Sequence, residues 1–248
     1  MGIDDLKRRK TIRKYTDKDV SGELLNELLE TASRASTTGN MQLYSVVVTR
    51  DQAKKEALSP AHFNQKMIKG APVVLTFCAD FNRFIKWCEL RDAKPGYANF
   101  QSFLTALFDA VIFAQQFCTA AEMKGLGICY LGTTTYNPDP IIDILKLPKM
   151  VIPLLTVTLG YPAEDPEIID RLPVSGIMHD EYYRDYTAED IERIYTYKES
   201  LPENGKYIEE NGKTTLAQVF TDVRYTKENN EIFSKIFLDT LRRQGFDF

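Results

Sequence analysis

Histidine and cysteine are scarce in this chain of 248 residues, which contains two histidines and four cysteines. His62 and His179 stand far apart in the sequence, so they indicate neither a histidine-rich metal site nor a Ser-His-Asp triad. The cysteines form no CxxC motif and no zinc knuckle. Cys78 and Cys118 lie in apolar runs, which predicts buried, small hydrophobic side chains. Paired carboxylates and a P-loop are also missing. The sequence therefore shows no pattern for acid–base catalysis, nucleophilic catalysis, metal binding or a phosphate-binding loop.

Long apolar runs are missing as well. No uninterrupted apolar run reaches eighteen residues, so we expect no membrane span. The basic N-terminus is not followed by the apolar stretch of a secretory signal, and its acidic residues argue against a transit peptide. Acidic residues outnumber basic ones by 35 to 31, which disfavours general nucleic-acid binding. We therefore expect a cytoplasmic globular protein that binds neither nucleic acid nor membrane.

One short segment opposes the overall charge of −4: six of the eight residues from Lys7 to Lys14 are Lys or Arg. In an extended segment, Arg9, Thr11 and Arg13 share one face, with Ile12 and Tyr15 packed behind them. Guanidinium groups beside a hydroxyl suit phosphate oxygens, because charge-assisted bidentate hydrogen bonds are strong. By itself, however, such a run is more often a plain solvated surface, and a nucleic-acid-binding arm is a third alternative.

Hydrophobic periodicity predicts the main elements, together with helix caps at Ser21 and, as a capping box with Asp190, at Thr187. The pattern between 100 and 124 is apolar nearly all round, so this helix must be buried on several sides, including against another subunit. The predicted helices cover 3–10, 22–32, 51–58, 81–90, 100–124, 141–145, 188–200 and 228–243. The predicted strands cover 43–49 and 73–80, a short run directly after Gly125, and a run from 151 into a turn at 160–162.

Five segments, taken in order, carry a resemblance to a known family. Residues 9–13 resemble basic-x-Ser-Ile-Arg, 36–42 resemble Pro-Ser-Ser-x-Asn-x-Gln, and 125–133 resemble Gly-Leu-Gly-x-x-Tyr-Ile-Gly-Gly. Residues 159–162 resemble Leu-Gly-Tyr-Pro, and 169–171 resemble Lys-x-Arg. All five are motifs of the FMN-dependent nitroreductases. The chain is most similar to the NADPH-dependent, oxygen-insensitive nitroreductase and flavin reductase branch. The resemblance is strong from about residue 5 to 180 and weak in the tail.

The resemblance implies an α+β fold, in which a mainly antiparallel central sheet is flanked by helices. It also implies a homodimer that buries the long helix and binds FMN at the subunit interface. We expect a single domain over 1–248, with an FMN-binding core at 1–178 and a C-terminal extension at 179–248 that wraps around the partner subunit.

The resemblance also implies a set of FMN contacts. Arg13 is expected to stabilise negative charge on the reduced flavin, while Arg171 and the N-terminal segment hold the phosphate. In the family, a polar residue just before strand 73–80 bonds the polar edge of the ring; a gap-free count gives Gln65, with Lys66 as the nearby alternative. The full set is Arg9, Lys10, Thr11, Arg13, Thr37, Thr38, Asn40, Gln42, Gln65, Tyr130, Leu131, Gly132, Thr133 and Arg171.

Two positions depart from the family pattern. Thr133 stands where the family has a glycine, which alters the contact there. Ile169 stands where the family has a lysine, and the loss of one charged hydrogen bond would weaken FMN binding by about 1.5–3 kcal/mol. Lys10 is expected to compensate, because the N-terminal cluster is rich in cations.

The implied activity is transfer of hydride from NADPH or NADH, through bound FMN, to nitroaromatics, quinones or flavins by a ping-pong mechanism. Basic residues of the tail would bind the 2′-phosphate of NADPH, with Lys206, Lys213 and Arg224 as candidates. The alternative is a flavin-binding carrier or sensor without turnover, which the missing lysine at Ile169 favours.

Overall fold

The computed structural model describes residues 2–248. The chain divides into two compact units, one comprising the residues up to Glu167 together with Phe233–Phe248, the other comprising Ile168–Ile232. We refer to them as the first and the second unit. The single domain with a division after residue 178 stays a prediction.

A four-stranded antiparallel sheet lies at the centre of the first unit, in the order β1-β2-β4-β3. Its strands are β1 (Tyr44–Thr49), β2 (Val73–Asp80), β3 (Gly127–Leu131) and β4 (Val151–Gly160). The central strands β2 and β4 are buried along their whole length. A strand that is covered on both faces has a continuous apolar sequence without alternation. This pattern is why β2 and β4 could both be predicted from the sequence. The predicted antiparallel sheet with flanking helices is confirmed.

The part of the chain that the structure describes contains eleven α-helices. They are α1 (Ile3–Lys7), α2 (Gly22–Ala32), α3 (Gln52–Leu58), α4 (Lys66–Gly70), α5 (Asn82–Glu89), α6 (Phe100–Met123), α7 (Pro138–Leu145), α8 (Ala188–Ser200), α9 (Pro202–Glu210), α10 (Leu216–Val219) and α11 (Lys227–Arg243).

Two predicted helix limits are wrong. Helix α1 ends at Lys7 rather than at residue 10, because the following residues run extended and Ile12 donates its N–H to Ile128 of β3. Helix α7 begins at Pro138 rather than at residue 141. Proline is tolerated in the first turn of a helix, where its missing N–H would have no intrahelical partner.

Helix α6 packs its buried aromatic and small side chains, among them Phe103, Ala110 and Phe117, into the main core with the sheet. Gly125 directly after it adopts φ +77°, the left-handed conformation of a helix C-terminus. Cys118 of this helix and Cys78 of β2 are buried, as predicted. The long helix is thus the main element that covers the sheet.

By length and composition alone, α6 could also cross a membrane, although it contains no uninterrupted apolar run of eighteen residues. Half of its apolar window is buried inside the fold. A buried core helix passes the same test, so this property is weak support for a membrane span.

The second unit contains α8, α9, α10 and a π-helical turn at Phe220–Arg224. Thr187 caps α8 and forms the predicted capping box with Asp190. The buried apolar side chains of this unit include Ile194, Leu216 and Val219. Helix α11 starts in the second unit and continues into Phe233–Phe248.

Candidate functional site

The N-terminal segment, residues 8–16, is fixed in the first unit by backbone hydrogen bonds. Ile12 N–H donates to the carbonyl of Ile128 over 2.9 Å, and Thr16 N–H donates to the carbonyl of Tyr161 over 2.9 Å. Beyond β4, the N–H of Ala163 donates to the Lys14 carbonyl over 3.0 Å. The segment therefore lies beside β3 and the end of β4, and its side chains have a defined place.

Two glycines make room for this segment. A Cβ on Gly127 would lie 2.6 Å from Cβ of Ile12. A Cβ on Gly160 would lie 2.7 Å from Pro72 and 2.9 Å from the Tyr15 ring. Real side chains do not approach so closely, so only glycine fits at either position. The Gly-Leu-Gly and Leu-Gly-Tyr-Pro motifs thus have a structural reason: their glycines Gly127 and Gly160 leave room for the side chains of Ile12 and Tyr15.

Ile12 and Tyr15 lie behind the basic residues, as predicted. Ile12 is 6% exposed, and the Tyr15 hydroxyl donates to the Ile12 carbonyl over 2.7 Å and lies 2.7 Å from Oγ1 of Thr158. Burial raises the pKa of Tyr15 far above its usual range, so this hydroxyl stays neutral. The anchor of the segment is therefore apolar and uncharged.

The cations of the segment differ in their partners. Arg9 Nε lies 3.0 Å from Glu122 Oε1, and Lys10 Nζ lies 2.7 Å from Asp165 Oδ1. The Arg13 guanidinium is exposed and forms no ion pair within residues 2–248. Its charge acts on Cys129, whose pKa burial raises and Arg13 lowers. Arg13 is thus the cation of the predicted set in this segment that has no carboxylate partner.

The backbone of Arg13 is nevertheless held in place. The N–H groups of Arg13 and Lys14 both donate to Glu164 Oε1, over 2.6 and 3.0 Å. A carboxylate that accepts two backbone N–H groups fixes the chain direction without neutralising the Arg13 side chain. The arrangement fixes the backbone of Arg13 and leaves its guanidinium without an ion-pair partner within residues 2–248, with a side-chain hydrogen bond to Cys129.

A cavity of about 230 Å³ lies between the segment and the end of α6 and is bordered by Arg9, Lys10, Glu122 and Gly127. Burial raises the pKa of Glu122, and the neighbouring Arg9 opposes that rise. The cavity therefore contains both charges of an ion pair, so an anion that enters must compete with Glu122 for Arg9.

The loop that follows α2 is tied to α6 by Asp109, which is buried and which the sequence reasoning missed. Its carboxylate accepts from the Thr37 hydroxyl over 2.5 Å, from Thr38 N–H over 2.9 Å and from Leu43 N–H over 3.2 Å. The one signal in the sequence is an acidic residue in the middle of a mostly apolar helix, whose other acidic residue, Glu122, lies near its end. The Thr37 hydroxyl and the Thr38 N–H are therefore used inside the protein.

Other polar groups of this loop face solvent. Thr38 and Asn40 are exposed, and Gln42 is partly exposed. Asn40 and Gln42 adopt left-handed backbone conformations, with φ of 56° and 55°, and the Gln42 amide donates to Asn40 Oδ1 over 3.3 Å. Thr38 and Asn40 thus keep side chains that a ligand can reach.

The end of β3 contains the third set of predicted contacts. Leu131 is buried and Tyr130 is 38% exposed, with burial raising the pKa of Tyr130 to about 12. Gly132 is exposed, and a Cβ on it would meet no atom within 4 Å. The backbone at Gly132 therefore borders open space that a ligand ring can enter.

Thr133 contacts a histidine that sequence reasoning did not connect with the site. Its Oγ1 lies 2.9 Å from Nδ1 of His62. His62 is fully buried, and burial lowers its pKa to about 4. Gln65 is the N-cap of α4, where its N–H donates to the His62 carbonyl over 3.2 Å, and Lys66 is the first residue of α4. The predicted Gln65 and Thr133 are therefore linked through His62.

Arg171 belongs to the second unit. Its guanidinium donates to the carbonyls of Ile169 and Asp170, over 3.2 and 2.8 Å. The Asp170 carboxylate pairs with Lys198 at 3.0 Å, and Ile169 is exposed. The role of Arg171 in binding phosphate stays a prediction.

The three tail candidates for nucleotide binding are engaged within the second unit. Lys206 lies 3.7 Å from Glu210, Lys213 lies 2.9 Å from Asp222, and the Arg224 guanidinium lies 4.6 Å from the Tyr207 ring centre. Their proposed contact with the 2′-phosphate stays a prediction.

The chain was compared with known proteins. A sequence model of the Nitroreductase family matches residues 6–161. The oxygen-insensitive NADPH nitroreductase of Salmonella typhimurium is 33% identical, with 96% of this chain and 94% of that protein covered. The protein named FMN reductase (NAD(P)H) of Bacillus subtilis is 36% identical, with 98% and 97% covered. A crystal structure from Bacteroides fragilis has 66% identity and a TM-score of 0.98, with 99% of this chain and 100% of that chain covered.

The family model covers more than half of the chain, including the N-terminal segment and all four strands, and both curated relatives match almost from end to end. The chain belongs to the nitroreductase family.

Proposed function

We propose that this chain is an FMN-dependent oxidoreductase, which uses NADPH or NADH to reduce nitroaromatics, quinones or flavins in a ping-pong cycle. The names of the two curated relatives, an NADPH nitroreductase and an FMN reductase, support this assignment. The observation that carries it is Arg13, whose exposed guanidinium has no ion-pair partner within residues 2–248 and whose backbone N–H, like that of Lys14, donates to Glu164 Oε1.

The donor set of the first unit fits FMN. Arg9, Lys10 and Thr11 supply two cations and a hydroxyl, which suit a phosphate monoester. The contact of Arg171 with the phosphate, which the family resemblance implies, stays a prediction. Gly132 borders open space, so its backbone offers close approach to a flat ring, and the remaining predicted polar contacts are Thr37, Thr38, Asn40, Gln42 and Gln65.

When bound, FMN would supply the hydride chemistry, since no side chain of the chain is suited to it. Arg13 would place a fixed positive charge where negative charge develops on the ring, and a preorganised charge of this kind stabilises a transition state strongly. The hydrogen bonds of Ile12 and Arg13 keep that charge in position. Tyr130, Leu131 and Thr133 would border the ring beside Gly132.

The remaining elements of the proposal concern assembly and location. Helix α6 exposes Phe108 and Ile112, 57% and 44% exposed, one turn apart on a single face. Exposed apolar side chains of this size mark an interaction surface, and a second copy of this chain would cover them in a homodimer. We propose a cytoplasmic homodimer that binds neither nucleic acid nor membrane.

The test is to purify the protein, record its flavin absorbance and measure oxidation of NADPH and NADH with menadione or nitrofurazone as acceptor. We expect a yellow protein with turnover. Arg13→Ala should lower turnover by about 10²–10³-fold, whereas Lys14→Ala, which removes the neighbouring exposed cation, should retain it. Normal turnover of Arg13→Ala would refute the assignment of Arg13.

The same assay separates the alternative of a flavin carrier or sensor. Ile169, at the position of the family lysine, is the feature that favours it. A protein that binds FMN and oxidises neither nicotinamide nucleotide with either acceptor would establish that alternative instead.

A further inference from the structure

Thr133 carries a hydroxyl at the position where the family pattern has a glycine. It follows Gly132, which borders open space, and it is itself partly exposed. Its neighbour Thr134 points inward: Oγ1 of Thr134 is buried and donates its one hydrogen to the Leu131 carbonyl at 3.2 Å, while Oγ1 of Thr156 lies 3.1 Å away on its other side. These bonds fix the 3-10 turn Gly132–Thr135, so the place of Thr133 is determined by the fold.

His62 lies against this hydroxyl from the protein side. It ends the 3-10 turn Ser59–His62, which Asn137 anchors by donating its side-chain N–H to the Ala61 carbonyl over 3.2 Å. The imidazole is fully buried, with Nδ1 at 2.9 Å from Thr133 Oγ1. Nε2 has no hydrogen-bond partner among the described residues. The ring is therefore held rigidly, with a single polar contact.

The unpartnered Nε2 decides which atom carries the proton. A buried N–H without an acceptor is rarer and more costly than a buried acceptor without a donor. The proton of the neutral ring therefore belongs on Nδ1, which then donates to Thr133 Oγ1. A hydroxyl that accepts from one side keeps its own hydrogen for another acceptor. Since His62 occupies the protein side, that hydrogen is free for an acceptor outside it.

We propose that the Thr133 hydroxyl donates a hydrogen bond to the ring of bound FMN, and that His62 is a positioning residue that sets the direction of this donor. The inference rests on the proposed function, because it assumes that FMN occupies the open space beside Gly132. This inference explains why threonine replaces the family's glycine: the Thr133 hydroxyl would be an additional hydrogen-bond donor to the flavin ring.

The experiment is a titration of apoprotein with FMN, followed by flavin fluorescence and by the visible spectrum of the bound flavin. Thr133→Val removes the hydroxyl and preserves the shape of the side chain, whereas Thr133→Ser retains the hydroxyl. We expect Thr133→Val to weaken FMN binding about five- to tenfold, as expected for one hydrogen bond, and to shift the flavin absorbance band. Thr133→Ser should resemble the wild type in both measurements.

The role of His62 is tested by pairing variants. His62→Leu should reproduce the spectrum and the affinity of Thr133→Val, and the double variant should be no worse than either single one. His62→Asn, which places an amide N–H near the position of Nδ1, should restore the wild-type spectrum and keeps the test decisive where His62→Leu unfolds the protein. Additive losses in the double variant would overturn the positioning role.

Two outcomes separate this inference from the proposed function. If the wild type binds FMN and Thr133→Val binds it equally well with an unchanged spectrum, the inference is overturned and the proposed function stands. If the wild type binds no FMN, both are overturned.

Discussion

The carboxylate of Asp109 accepts a 2.5 Å hydrogen bond from the Thr37 hydroxyl and so joins the loop after α2 to the centre of the long helix α6. The same carboxylate accepts from the N–H groups of Thr38 and Leu43. Three donors that converge on one buried carboxylate are a strong local constraint, because hydrogen bonds to a charged group are worth more than neutral ones. The loop that presents Thr38 and Asn40 is therefore held by a residue that no ligand reaches.

We predict that Asp109→Ala lowers the free energy of unfolding by about 3 kcal/mol or more, because it leaves two backbone N–H groups and a hydroxyl without their acceptor. Thr37→Val is the matched control, since it removes one of the three donors and preserves the shape of the side chain. It should cost about 1–2 kcal/mol. Denaturant unfolding of the apoproteins measures both. Equal stability of Asp109→Ala and the wild type would show that the carboxylate does not hold the loop.

The glycines at the start of β3 and directly after its end should respond differently to alanine. Gly127→Ala places a Cβ 2.6 Å from Cβ of Ile12, so the segment must move, and we expect a loss of stability of about 1–3 kcal/mol from overpacking. Gly132→Ala meets no atom within 4 Å and needs no left-handed conformation. It should leave the stability of the apoprotein within about 0.5 kcal/mol.

The Gly132→Ala variant should differ from the wild type once FMN is present. If the flavin ring lies against this backbone, a methyl group there occupies the space of the ring, and Gly132→Ala should weaken FMN binding at least about tenfold. Thermal unfolding with and without FMN separates the two effects. Equal stabilisation of Gly132→Ala and the wild type by FMN would place the ring elsewhere.

The sequence was informative wherever the controlling interaction is local. The caps at Ser21 and Thr187 lie within three residues of the groups that they bond, and the apolar runs of β2 and β4 reflect burial on both faces. These features set the limits of the elements correctly.

Features that depend on distant partners were missed. Asp109 bonds a residue 72 positions away, and His62 bonds one 71 positions away. Neither pairing leaves a spacing pattern in the sequence. Helix α1 was predicted too long for a related reason: the hydrogen bond of Ile12 to β3 pulls the following residues into an extended path. The contacts of the predicted site residues with FMN stay predictions.

Glu122 should limit the affinity for the FMN phosphate. Its carboxylate lies 3.0 Å from Arg9 Nε in the cavity beside the N-terminal segment. Glu122→Gln removes the competing negative charge and keeps the shape, so we expect FMN to bind several-fold more tightly, with the gain reduced at high salt. Isothermal titration at two ionic strengths measures it. Weaker binding, similar to that of Arg9→Ala, would mean instead that Glu122 orients Arg9 for the phosphate.

His62 should make the fold sensitive to acid. Burial lowers its pKa from 6.5 to about 4, so between these pH values the unfolded chain binds a proton that the folded chain does not. Stability therefore rises with pH up to about 6.5, and the contribution of His62 is lost as the pH falls through about 4. The shift of the pKa corresponds to a change of about 3 kcal/mol in the free energy of unfolding over this pH range.

His62→Asn removes this titration and should flatten the dependence of unfolding free energy on pH between 4 and 6.5. His179→Asn, which removes the other histidine, is measured alongside as the control substitution. Urea unfolding at half-unit steps of pH measures all three proteins, and an unchanged slope in His62→Asn would show that the buried imidazole is not the group that titrates.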